Sequence, residues 1–200
     1  MALRPRLATP TSLFLDIGQG AGIASATGVR PFLPPLLAGA LAREDLGIDF
    51  TGTDWAFLES TGFLAAVLAL AVLAYVLGRG GRELPPPLLA GVALVLGGLL
   101  FAGSLADGGH SGWPGLAAGV VCALLAFAAA GAFLGRVRKR LDPGAAGFLD
   151  TYADLIALTL AGLSVLAPPA GFLAIAAFVY LLVRDRGQAD RKYEGLRILR

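Results

Sequence analysis

Residues 22–42 read GIASATGVRPFLPPLLAGALA. An arginine, Arg30, stands between two apolar runs and is followed at once by Pro31, then by Pro34 and Pro35. Each proline removes a helical amide, and Pro31 also disfavours helical geometry at Arg30, so the stretch is either a greasy loop or a helix broken on purpose. The medium decides between them. The chain of 200 residues is 56% hydrophobic and 15% charged, with a mean hydropathy of +0.75, against about 45–50% apolar and about 25% charged residues in soluble domains. That is the composition of a membrane protein, in which a broken helix carrying an arginine is worth a functional reading.

Working outward, the run from Leu13 to Ala42 would span roughly 45 Å as one straight helix, too long for a single perpendicular crossing of a ~30 Å hydrocarbon core and too short for two. It is therefore expected to form two helical pieces meeting near Arg30 to Pro35. Three plain spans follow, Phe57 to Leu77, Leu88 to Leu105 and Trp113 to Leu134. Pro85 to Pro87 and Pro114 fall at helix starts, where a missing amide does no harm. The run from Phe148 to Val183 is divided by Pro168 and Pro169, which predicts a helical hairpin. The expected fold is thus all-α: a single-domain polytopic membrane helix bundle over residues 1–200, about six crossings, with a Pro-broken first helix and a C-terminal helical hairpin.

Basic residues set the expected orientation, because short cytoplasmic loops collect Lys and Arg. Arg4 and Arg6 precede the first run; Arg79 and Arg82, then Arg136, Arg138, Lys139 and Arg140, follow two of the plain spans; Arg184, Arg186, Arg191, Lys192, Arg197 and Arg200 fill the tail. The intervening loops hold only Arg43 against Glu44, Asp45, Asp49, Asp54 and Asp107. This alternation implies a bacterial inner-membrane protein with a cytoplasmic N-terminus (1–12) and a basic cytoplasmic tail (184–200). Tyr193, Leu196 and Leu199 would share one face of that tail if it is a helix lying on the anionic leaflet; a disordered tail is the alternative. Ala24-Ser25-Ala26 has the form of a signal-cleavage site, but Asp16 and Gln19 interrupt the apolar region that a signal needs.

The first run carries a small-residue pattern, Gly18, Gly22 and Ala26 with Gly28 near its end, that lets membrane helices approach closely. Soluble-enzyme motifs fail on context: "GQGAGI" has no preceding strand and its third glycine is misplaced. Asp142, Asp150 and Asp154 cluster near one end, the last two at i and i+4 on one face. Membrane phosphatidyl-group transferases use aspartate sets of comparable spacing, but their upstream elements are missing here. Cys122 and His110 are the only residues of their types, too few for a cysteine or histidine metal site. No catalytic residue, metal or cofactor is expected, and nothing points to nucleic acid.

Gly28-Val29-Arg30-Pro31-Phe32-Leu33-Pro34 and the terminal Lys192-Tyr193-Glu194-Gly195-Leu196-Arg197-Ile198-Leu199-Arg200 resemble an uncharacterised bacterial integral-membrane family, domain of unknown function four-one-two-six. That resemblance implies an inner-membrane protein and assigns no activity. Gly28-Val29-Arg30, Phe32, Pro34 and Ala38-Gly39 are also similar to the arginine-proline motif of DedA-type membrane proteins, which implies a re-entrant helix and the handling of lipid carriers; the acidic companion motif of that family has no counterpart here.

The functional expectation is a small transporter or permease-like protein with a site at the break. DedA-like lipid handling and a non-transporting scaffold are the alternatives. The expected partners are the bilayer, a small solute or lipid ligand, and further copies of the chain in a homo-oligomer. If the first run enters from the cytoplasm at Leu13, Arg30 lies about 25 Å along it, near the outer edge. Glu59 would then share its level and pair with it, while Asp16 and Asp154 would meet near the inner edge and hold a proton or cation.

Overall fold

The computed structural model describes residues 10–79, 82, 84–141 and 143–197, without the side chains of 10–12, 143–147 and 186–197. Arg4, Arg6 and Asp142, the side chains of the basic tail beyond Asp185, and the proposed tail face of Tyr193, Leu196 and Leu199 therefore lie outside the described residues. All regular structure among the described residues is helical: α1 (Pro10–Val29), α2 (Leu33–Arg43), a short 3-10 turn (Ala56–Glu59), α3 (Thr61–Arg79), α4 (Pro86–Asp107), α5 (Trp113–Arg138), α6 (Pro143–Leu166) and α7 (Pro169–Arg197).

Four of these, Thr61–Arg79, Pro86–Asp107, Trp113–Arg138 and Phe148–Leu166, are long and apolar enough to cross a membrane. The strongest physical argument for a membrane comes from α3. Its apolar window is as hydrophobic as those of α4 and α5, yet only 6% of it is buried inside the protein. Leu68, Leu70, Val72, Leu73, Tyr75 and Val76 all face outward, a larger apolar surface than a soluble monomer exposes. The protein is a membrane-embedded helix bundle.

At the centre stands α1, with α4, α5, α6 and α7 packed around it. Its small residues explain this position. A Cβ on Gly18 would lie 2.5 Å from the Pro168 carbonyl oxygen, one on Gly20 would lie 2.9 Å from the Phe101 ring, one on Gly22 would collide with the Ser164 hydroxyl, and one on Gly28 with the Ala123 carbonyl. Small residues thus strip α1 of bulk on several faces, where α4, α5, α6 and α7 approach it. Ala24 and Ala26 are fully buried as well.

The break falls where the prolines require it. Arg30 still donates its amide to the Ala26 carbonyl at 3.0 Å, residues 30–32 bend, and α2 begins at Leu33 with Pro34 and Pro35 in its first turn, where their missing amides would have no partner anyway. Pro31 is the breaking residue; Pro34 and Pro35 start the next helix. Eleven residues make α2 roughly 16 Å long, half a hydrocarbon core. Two boundaries follow from local chemistry. Ser60 is extended and its hydroxyl accepts the Phe63 amide at 3.2 Å, so α3 starts after Glu59 rather than at Phe57. Pro168 and Pro169 make the tight turn between α6 and α7, and α7 continues as one helix to Arg197.

The helix ends gather into two layers. One, here the loop end, holds the 44–60 segment, the α4–α5 loop and the α6–α7 turn. Trp55 and Trp113 meet edge to face there, ring centroids 6.1 Å apart, and Trp113 is exposed, as an interfacial aromatic belt would have it. The 44–60 segment is a plug rather than a surface loop: Ile48, Phe50 and Leu58 are buried with Ile23, Ala38, Leu100 and Val165. The other, the arginine-rich end, holds the finish of α5, the start of α6 and Arg30. Thus α1 begins at the loop end, with Phe14 stacked on Phe172 and Asp16 against Gly108, and finishes at the arginine-rich end. That is opposite to the direction taken for the depth count, which had the first run rise toward the outer side from a start shared with the arginine-rich loops.

Candidate functional site

Arg30 leaves the end of α1 and reaches α6, which passes antiparallel beside it. Its Nη2 donates to the backbone carbonyl of Asp150 at 2.8 Å and to Asp150 Oδ1 at 2.9 Å, while its Nε lies 2.8 Å from Asp154 Oδ1. The i, i+4 spacing of the two aspartates puts both carboxylates on the helix face that meets the break. Asp150 serves a second base: Arg138, in the last turn of α5, donates from Nη2 to Oδ1 at 2.9 Å and to Oδ2 at 3.0 Å. Two guanidiniums and two carboxylates therefore form one neutral network joining α1, α5 and α6. Its side chains are 28–49% exposed, so they sit at the rim of the bundle rather than in its centre.

This arrangement corrects the expected pairs. Glu59 does not meet Arg30. It closes the plug, accepting from the Phe50 amide at 3.2 Å and from the Thr51 hydroxyl at 2.8 Å. Asp16 does not meet Asp154. It is buried at the loop end, 3.4 Å from His110 Nδ1, and it occupies the space a side chain on Gly108 would need. Both corrections have one cause, the direction of α1, which carries Arg30 to the level of Asp150 and Asp154 and leaves Asp16 at the level of the α4–α5 loop.

Residue types alone did not single out Arg138 or Gln19. Gln19 is 3% exposed and donates from Nε2 to the Gly47 carbonyl at 2.8 Å; Gly47 has φ +79, a left-handed turn that suits glycine and brings its carbonyl into the bundle. With Thr27, whose hydroxyl back-bonds to the Ile23 carbonyl at 2.8 Å, and fully buried Ser25, α1 carries a series of polar groups through the middle of the fold. Ser25 Oγ and, on α4, Ser104 Oγ make no hydrogen bond among the described residues, which is uncommon for buried hydroxyls. No cluster of three or more metal-ligating side chains occurs among the described residues. Comparison with protein families, with curated proteins and with solved structures finds no match for this chain.

Proposed function

We propose that the protein is a small membrane transporter of permease-like type whose moving element is the broken pair α1–α2, with the Arg30 network as its latch. The observation that carries this reading is the pairing of Arg30, at the break itself, with two carboxylates of a neighbouring helix. A break frees carbonyls that need partners, and such discontinuous helices are where transporters hold their solutes. Releasing Arg30 from Asp150 and Asp154 would uncouple the break from α6. The buried polar series on α1 and the unpartnered hydroxyls of Ser25 and Ser104 then offer water or a small polar solute its contacts. On this reading no residue is catalytic, and the arginine-rich end faces the cytoplasm of a bacterial inner membrane, as basic loops do.

A scaffold reading has one observation in its favour, the contact of α1 glycines with neighbouring backbones, which leaves little room for movement. Ser25→Cys in a Cys122→Ala background, reconstituted in proteoliposomes, separates the two. A transporter exposes this position, so a small methanethiosulfonate reagent should modify it slowly, and at least several-fold faster when Asp154→Asn weakens the latch. Complete protection in both backgrounds would discard the transporter reading in favour of the scaffold.

A further inference from the structure

Away from the Arg30 network, the end of α5, the turn after it and α7 flank a half-open cavity of about 190 Å³ at the arginine-rich end. Arg136, Arg140 and Arg184 line it with one carboxylate, Asp185. Arg136 forms an ion pair with Asp185. Arg140 and Arg184 have no carboxylate partner among the described residues. Arg138, between Arg136 of α5 and Arg140 in the turn after it, pairs with Asp150 instead and does not line the cavity. Three guanidiniums against one carboxylate leave a positive excess that the C-terminal end of α5, equivalent to about half a negative charge, does not remove. The space exceeds what one bridging water needs.

The geometry points to a binding site for a phosphate group. Guanidinium forks match phosphate oxygens in pairs, and a phosphate would relieve the repulsion between two like charges facing one cavity. The apolar part of the lining favours a lipid as the carrier of that phosphate. Phe133, half-exposed and one turn from Arg136 toward the middle of the bundle, lies beside Leu181. A headgroup held by the arginines would lay its acyl chain along these two. Basic pockets between helices at a membrane surface are suited to anionic headgroups for this reason.

The test uses the full chain in an uncharged maltoside detergent. Thermal unfolding is followed by reaction of a fluorogenic maleimide with Cys122, which is buried in the fold. Dioctanoyl phosphatidylglycerol should raise the midpoint saturably, since a ligand that binds only the folded state stabilises it by mass action. Dioctanoyl phosphatidylcholine should need at least tenfold more. Arg140→Gln with Arg184→Gln should raise the half-saturating concentration of phosphatidylglycerol at least tenfold, and Asp185→Asn should lower it. If the double variant does not survive detergent, Arg184→Gln alone should weaken binding several-fold. Saturable stabilisation by sodium phosphate, matching or exceeding that by the lipid, would uphold the phosphate site and make its ligand a soluble one. Equal responses to the two lipids, no saturable response to lipid or phosphate, or unchanged affinity in the arginine variants would overturn it.

Discussion

Arg30 offers a quantitative test of the latch, because its two partners are not equivalent. Asp150 keeps Arg138 when Arg30 is lost, at 2.9 Å and 3.0 Å, whereas Arg30 is the only base against Asp154 among the described residues. Removing Arg30 should therefore strand Asp154 more than Asp150. The magnitude is bounded by exposure: the side chains are 28%, 49% and 42% exposed for Arg30, Asp150 and Asp154, so values for fully buried pairs do not apply. Exposed ion pairs couple by about 0.2–1 kcal/mol and polar pairs in membrane bundles by about 0.6, reaching about 1.7 kcal/mol. We expect a coupling of about 1 kcal/mol between Arg30 and Asp154, a factor of about five in the unfolding equilibrium, and below about 0.5 kcal/mol between Arg30 and Asp150. The assay is a double-mutant cycle with Arg30→Met, Asp154→Asn and Asp150→Asn, read by reversible dodecyl-sulfate unfolding in mixed micelles. A coupling near zero for Asp154, or a larger one in a parallel Arg30/Glu59 cycle, would refute the geometry on which the latch depends.

Other consequences follow from packing. Gly22→Ala and Gly28→Ala force a methyl onto Ser164 and the Ala123 backbone respectively and should each cost about 1–3 kcal/mol, whereas Gly131→Ala, with open space around it, should be neutral or stabilising by up to about 1 kcal/mol; the same micelle unfolding assay measures all three. Glu59→Ala removes the acceptor of two plug hydrogen bonds and should destabilise by about 1.5–3 kcal/mol, with proteolysis within residues 44–60 rising well before global unfolding. Cys122, 9% exposed between α5 and its neighbours, should resist an aqueous maleimide in the folded protein and react within minutes once unfolded; equal rates would mean that α5 is not packed as described.

What the residues disclosed and what they hid can be separated physically. The break at Arg30 was legible because Pro31 acts locally, on its own amide and on the residue before it. The α6–α7 turn at Pro168 and Pro169 was legible for the same reason, and the long apolar helices because length against bilayer thickness is a one-dimensional count. The partner of Arg30 was not, since Asp150 lies 120 residues away and only the direction of α1 decides which acidic group shares its level. Apolar periodicity does not change when a helix is turned end for end. The plug was hidden differently: Ile48, Phe50 and Leu58 are plainly apolar, but acidic neighbours such as Asp45, Asp49 and Asp54 gave the segment the composition of a solvated loop, and the Glu59 cap on the Phe50 amide closes a turn nine residues long with no sequence motif of its own.

The direction of α1 also sets two sorting signals against each other. Arg4 and Arg6 precede it and favour a cytoplasmic start, but α1 begins at the end opposite Arg136, Arg138, Lys139 and Arg140. The first helix usually dominates orientation, though not always, and α1 is a weak candidate for dominance. It carries Asp16, Gln19, Ser25 and Thr27 within its length, and these are buried only because α4 to α7 surround it. A helix that needs its neighbours to enter the membrane would take its orientation from them, and under the positive-inside rule the bases at the ends of α3, α5 and α7 would orient those neighbours. The expected outcome is that Leu13→Cys and Ser111→Cys, each in a Cys122→Ala background, are labelled by an impermeant maleimide from the periplasmic side of intact cells. Lys139→Cys should react only after the membrane is opened. If Leu13→Cys instead behaves as Lys139→Cys does, α1 runs the other way, Arg30 leaves the level of Asp154, and the Arg30–Asp154 coupling should vanish in the same preparation.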